Sequence, residues 1–152
     1  MLSEELTLAG MPRRKLDVFV RLAVDLADLS RCSRRRVGCV VVDRAMTEVL
    51  AIGYNGPASG LSNDSCRGGE GSCGCVHAEA NALVKLQTRQ SGLVLVTTCS
   101  PCEHCAGLVA NCKRVSVVVY VEAYRDQAGV ELLKRLGTNV FRVDVETKTP
   151  RG

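Results

Sequence analysis

The chain of 152 residues has no tryptophan, two histidines, four prolines and only five other aromatic residues, three tyrosines and two phenylalanines. So few rings leave little stacking material for single-stranded nucleic acid. Long apolar runs are also missing. The longest, Val115–Val121 (VSVVVYV), falls far short of the ~20 residues a membrane-spanning helix needs. Met1–Lys15 (MLSEELTLAGMPRRK) has early acidic residues and no apolar stretch of the kind a secretory signal requires. Charge of one sign is scarce too: 20 basic against 16 acidic residues leave a net charge of +4. A polymeric phosphate substrate calls for a larger basic surface. The expectation is a soluble, cytoplasmic protein with neither a nucleic-acid nor a membrane partner. No internal repeat, low-complexity tract or linker interrupts it.

What the chain does have is nine cysteines. With 46% hydrophobic and 24% charged residues the composition is that of an ordinary globular protein. The length predicts a single domain over residues 1–152, with 1–11 and 146–152 as loosely ordered ends. A domain of this size buries about 68–70% of its unfolded surface and needs no covalent staple. Disulfides would require an oxidising compartment, and an odd cysteine count pairs poorly. Metal binding or simple burial is the better account of the thiols.

Apolar periodicity places the elements. Pro12–Leu29 reads as a helix, with Leu16, Phe19, Val20, Ala23, Leu26 and Ala27 on one face. Val37–Asp43 is a β-branched run and reads as a buried strand, with Glu48–Tyr54 as its hairpin partner. Asn55–Gly74 carries Gly56, Gly60, Gly68, Gly69, Gly71 and Gly74 and reads as a loop. Helices are predicted over His77–Gln87, Cys102–Asn111 and Gly129–Leu136, and strands over Leu93–Thr97, Val115–Val121 and Val140–Val145. The first two strands are joined too closely for a crossover and must be antiparallel. The alternation in the second half argues for crossover units and parallel pairing. The predicted fold class is α/β: a mixed sheet of about five strands covered by helices.

Two short segments carry chemistry. His77-Ala78-Glu79 and Pro101-Cys102-Glu103-His104-Cys105 each open a predicted helix. Cys102 and Cys105 are three residues apart and share a helical face. A helix N-terminus lowers a thiol pKa and favours thiolate, the form that binds metal. His77 adds a nitrogen donor. One imidazole and two thiolates leave zinc a fourth position for water, as in catalytic sites. Glu79 supplies a carboxylate able to move protons beside the metal. Positions 77 and 79 lie about 200° apart around a helix, so they converge only on a group off its N-terminal end. His104 has two open readings, a substrate-facing residue or a surface one.

Together the two segments match the H-x-E…P-C-x-x-C pattern and resemble the zinc-dependent cytidine deaminase superfamily. Further stretches narrow the resemblance to deoxycytidylate (dCMP) deaminases. Gly53–Leu61 (GYNGPASGL) resembles their GYNGxPxGL loop, with Ala58 where many members have proline. Cys32–Gly38 (CSRRRVG), Val76–Ala82 (VHAEANA) and Tyr120–Gly129 (YVEAYRDQAG) are similar to three more of their segments. The resemblance covers roughly residues 14–143. It implies a three-layer α/β/α cytidine deaminase-like fold. It implies a catalytic zinc on His77, Cys102 and Cys105, with Glu79 as the proton shuttle.

It also implies a small nucleotide as substrate. Asn55 offers an acceptor and donors for a pyrimidine edge or sugar hydroxyl, Ala78 lies between the two reacting positions, and Arg34, Arg35, Tyr124 and Arg125 are candidates for the phosphate and sugar. Some members carry a second, structural zinc. In this chain Cys32, Cys66, Cys73 and Cys75 are the candidate ligands, against the alternative of free loop thiols. Cys39, Cys99 and Cys112 read as core. Family members are often homo-oligomers, hexamers among them, and some respond to dCTP and dTTP. The implied reaction is hydrolysis of dCMP to dUMP and ammonia. The competing substrates are a 5-modified dCMP, a cytidine nucleoside or base, and transfer-RNA adenosine. A rival from another class, a non-catalytic zinc-binding module, leaves His77 and Glu79 without a role.

Overall fold

A computed structural model of the chain describes residues 7–69 and 72–145. Its strands and helices follow in chain order. They are β1 (Thr7–Leu8), β2 (Met11–Pro12), α1 (Arg13–Ala27), β3 (Gly38–Val42), β4 (Val49–Tyr54), α2 (Ala78–Val84), β5 (Leu93–Cys99), α3 (Glu103–Cys112), β6 (Val115–Glu122), α4 (Ala128–Arg135) and β7 (Asn139–Arg142).

Five strands form one sheet in the order β4-β3-β5-β6-β7. β3 pairs antiparallel with both β4 and β5, while β5–β6 and β6–β7 are parallel. The mixed sheet expected from the sequence is therefore present, with its parallel half where helices separate the strands. Strand alternation divides the core. Val40, Val42, Val94, Val96, Val117 and Val119 face α1, whose Leu16, Val20, Ala23 and Leu26 are buried against them. Cys39, Val41, Leu93, Leu95 and Val118 face the other way, onto Ala78 and Ala82 of α2, Val109 of α3 and Leu133 of α4. That makes three layers. The central strands are buried on both faces and so read as unbroken apolar runs rather than as alternation.

Three expectations shift. The last strand is Asn139–Arg142 rather than 140–145. It is an edge strand, so its polar ends stay in solvent and apolar residues alone misplace it. Helix α2 ends at Val84, three residues early, because Lys85 caps it and Leu86 turns back into the core. Residues 7–11, expected within a loosely ordered end, join Pro12, expected in the first helix, in the β1–β2 ribbon, with Met11 buried in the α1 core. The remainder of that end, and residues 146–152, lie outside the described residues. No helix among the described residues is long and apolar enough to cross a membrane.

Candidate active site

The site lies where β5 ends and two helices begin. Cys102 is the N-cap of α3, in extended conformation, and its sulfur accepts the Cys105 N–H at 3.4 Å. A cysteine thus does what serine or aspartate usually does at that position. His77 is the N-cap of α2, also extended, which turns its ring off the helix end. His77 Nδ1 lies 3.5 Å from Cys102 Sγ and 3.3 Å from Cys105 Sγ. The donor atoms of the three residues all fall within 4.8 Å of one another. Zinc bond lengths at a tetrahedral angle put nitrogen and sulfur about 3.5 Å apart and two sulfurs about 3.8 Å apart. The donor set therefore fits zinc in both chemistry and spacing.

The charges agree. The Cys105 thiol and the His77 ring hold Cys102 down at about 3, which favours its thiolate form. The Cys102 sulfur next to it, together with burial, pushes Cys105 up. The same sulfur raises His77.

Glu79 sits one residue inside α2 and is 4% exposed. Burial raises its carboxyl pKa above the ordinary glutamate range. The Thr97 hydroxyl lies 3.3 Å from Glu79 Oε1 and 3.0 Å from the Cys99 carbonyl, so one proton is shared between two acceptors. Helix α2 reaches this position because Gly53 on β4 has no side chain. A Cβ there would stand 2.2 Å from the Ala78 carbonyl oxygen.

Around this centre is a cavity of about 330 Å³, lined by His77, Ala78, Glu79 and Cys102 together with Asn55, Arg34, Arg35, Tyr124 and Arg125. Every substrate-facing residue expected from the sequence thus borders one space. Asn55 does so with half its amide engaged. Its Oδ1 accepts the Val37 N–H at 2.8 Å and its Nδ2 donates to the Arg35 carbonyl at 2.6 Å, which leaves one donor and one acceptor site. Arg35 donates to Glu122 at 3.2 Å and lies over the Tyr124 ring, 5.7 Å from its centroid.

Some residues were missed or misjudged. Thr97 and Ser100 escaped notice, signalled only by the polar residues Thr97, Thr98 and Ser100 inside and just beyond a buried strand, and Val37, which lines the cavity, had no signal. Cys99 is buried as expected but lines the cavity. Cys112, expected in the core, is only partly buried at the end of α3, with its thiol donating to the Val109 carbonyl. His104 is exposed and lies outside the cavity lining, which selects the surface reading.

A second cluster borders the same cavity. Cys32, Cys66, Cys73 and Cys75 bring their sulfurs within 4.8 Å of one another, with Cys32 to Cys73 at 3.8 Å and Cys66 to Cys32 at 3.9 Å. These match the sulfur spacing of a tetrahedral zinc. Ser33, through its hydroxyl and its N–H, lowers Cys66 to about 5. All nine cysteines are free thiols.

A His-Cys-Cys donor set at two helix starts packed on a mixed sheet, with a buried glutamate two residues beyond the histidine, defines the zinc-deaminase class. The model of the cytidine and deoxycytidylate deaminase zinc-binding region matches residues 13–122, and the chain belongs to that family. It is 35% identical to the deoxycytidylate deaminase of Saccharomyces cerevisiae over 88% of this chain, but spans only 46% of that relative's length. It is also 35% identical to the deoxycytidylate deaminase of Mycobacterium phage D29, over 62% of this chain and 84% of that one. A crystal structure of the dCMP deaminase from cyanophage S-TIM5, in complex with dCMP and dUMP, superposes with a TM-score of 0.79 at 33% identity, covering 88% of this chain and 99% of that chain.

Proposed function

We propose that the chain catalyses the hydrolytic deamination of dCMP to dUMP, releasing ammonia and supplying a precursor of thymidylate. The observation that carries this is the convergence of His77, Cys102 and Cys105 within 4.8 Å beside a buried Glu79, in a cavity that also has three arginines in its wall. The yeast and phage relatives, and the phage structure holding dCMP and dUMP, support the same substrate.

His77, Cys102 and Cys105 would hold the catalytic zinc. When bound, zinc supplies a Lewis acid that makes water nucleophilic near neutral pH. Glu79 takes a proton from the attacking water and delivers it to the ring nitrogen, then carries the second to the departing amine. Burial suits it to this work, because a carboxyl raised above its ordinary range holds a proton more readily and can both accept and return one. Thr97 orients that carboxyl from behind. Arg34, Arg35 and Arg125 face the phosphate, for which a guanidinium offers paired donors. Tyr124 borders the sugar or base. Asn55 presents its remaining donor and acceptor, and Ala78 keeps the floor free of bulk.

Cys32, Cys66, Cys73 and Cys75 would hold a second zinc, closed by four thiolates. A reducing, cytoplasmic setting accords with nine free thiols. Homo-oligomerisation, with a hexamer as the family's larger form, is supported by apolar side chains exposed on edge strand β4 and on α2: Val49, Ile52, Tyr54 and Val84. Control by dCTP and dTTP rests on the resemblance to regulated family members.

The test is an ultraviolet assay of the purified zinc-loaded protein against dCMP, dCTP, deoxycytidine, cytosine and a 5-substituted dCMP. Fastest turnover of dCMP is expected. Faster turnover of a compound without the 5′-phosphate would overturn the substrate assignment.

A further inference from the structure

Three contacts dock residues 122–129 onto the turn that carries Cys102. The Ser100 N–H donates to the Glu122 carbonyl at 2.9 Å. The Ser100 hydroxyl oxygen accepts the Tyr124 N–H at 2.6 Å. Gly129 lets α4 close on the same turn, since a Cβ there would stand 2.1 Å from the Pro101 carbonyl oxygen and 2.6 Å from that of Cys102. Ser100 is 3% exposed, borders the cavity and has no place in the metal set.

The far side of the docked segment holds Arg35. Its guanidinium donates to the Glu122 carboxylate and stacks on the Tyr124 ring. The two residues that fix Arg35 are thus the two whose backbones Ser100 holds, one through its N–H and the other through its hydroxyl. Arg125 follows directly in the chain. An arginine with both partners in place is preorganised and loses less freedom when it meets an anion.

From this geometry we infer that Ser100 is a positioning residue for substrate specificity. It anchors Glu122 and Tyr124, and through them aims Arg35 and Arg125 at the anionic group of the substrate. The inference rests on the nucleotide reading above and adds the residue that sets its phosphate preference. Replacing Ser100 by alanine keeps the backbone contact to Glu122 but strips the acceptor from the Tyr124 N–H. The segment then relaxes, and the arginines with it.

The experiment compares wild type, Ser100→Ala, Arg35→Gln and the double variant. It measures zinc content, kcat and KM for dCMP and for deoxycytidine, and calorimetric affinity for dUMP and deoxyuridine. For Ser100→Ala the dCMP KM and the dUMP dissociation constant should rise about tenfold, the scale of one buried hydrogen bond left unmade. Zinc content, kcat and the affinity for deoxyuridine should hold. In the Arg35→Gln background the same substitution should have a clearly smaller effect, because part of its action runs through Arg35. Additive effects, an equal loss for deoxyuridine and dUMP, or loss of zinc from Ser100→Ala would each overturn the inference. Wild-type protein that binds dUMP no better than deoxyuridine would instead overturn the nucleotide reading itself, and the inference with it.

Discussion

The two thiol clusters lie along one cavity and are built on different principles. His77, Cys102 and Cys105 come from helix starts that the sheet holds in place. Cys32, Cys66, Cys73 and Cys75 come from irregular chain, the segment after α1 and the long glycine-rich loop. The first cluster has three donors and a buried carboxylate beside it. The second has four sulfurs and among them no carboxylate. Three donors leave a metal open to substrate, and four close it. Rigid elements thus position the three-donor cluster, while the four-sulfur cluster on irregular chain shapes the cavity wall. Cys32, Cys73 and Cys75 border the cavity directly, and Arg34 and Arg35 follow Cys32 in the chain.

The strongest way to break that contrast is Cys105→Ser. Cys105 is buried in the first turn of α3 and is one of the three donors of its cluster. Turnover should fall to background, and metal analysis should give one zinc per chain where wild type gives two. Retained turnover would mean that the first cluster is not the reacting one. Next comes Gly53→Ala. The added Cβ meets the Ala78 backbone, so α2 must shift and carry Glu79 with it. A misplacement of about 1 Å costs on the order of 10²-fold in kcat. Because His77 caps the same helix, zinc content measured on the same sample separates loss of alignment from loss of metal.

Cys66→Ala acts on the second cluster and should have the smallest effect on chemistry. One zinc should be lost while kcat is largely kept. The cost should appear instead in stability, where each kcal/mol removed lowers Tm by about 2–4 °C in a domain near this size. Thermal unfolding followed alongside metal content checks it. If kcat collapses while Tm stays fixed, the roles of the two clusters are reversed.

Much of this was legible in the sequence. Val40–Val42 and Val94–Val96 declared buried strands by composition, and the spacing of Cys102 and Cys105 declared a shared helical face. The H-x-E segment became informative only alongside that pair. What stayed hidden depends on contacts distant in sequence. Arg35 and Glu122 are 87 residues apart, and their pairing follows from the sheet order, not from local pattern. Ser100 looked like one polar residue ahead of a proline until the fold brought Tyr124 to it. The edge strand β7 was misplaced because an edge tolerates polar residues. Gly129 and Gly53 are permissive in any sequence, and only the packed helices show why a side chain is excluded there.

The most direct test of the central claim, that Glu79 moves the protons beside a metal it does not hold, is dCMP turnover by Glu79→Gln with zinc content measured on the same sample. Zinc should stay at the wild-type level and kcat should fall by about 10²–10⁴-fold, the usual contribution of a positioned acid–base group. Turnover within a few-fold of wild type, with zinc in place, would contradict it.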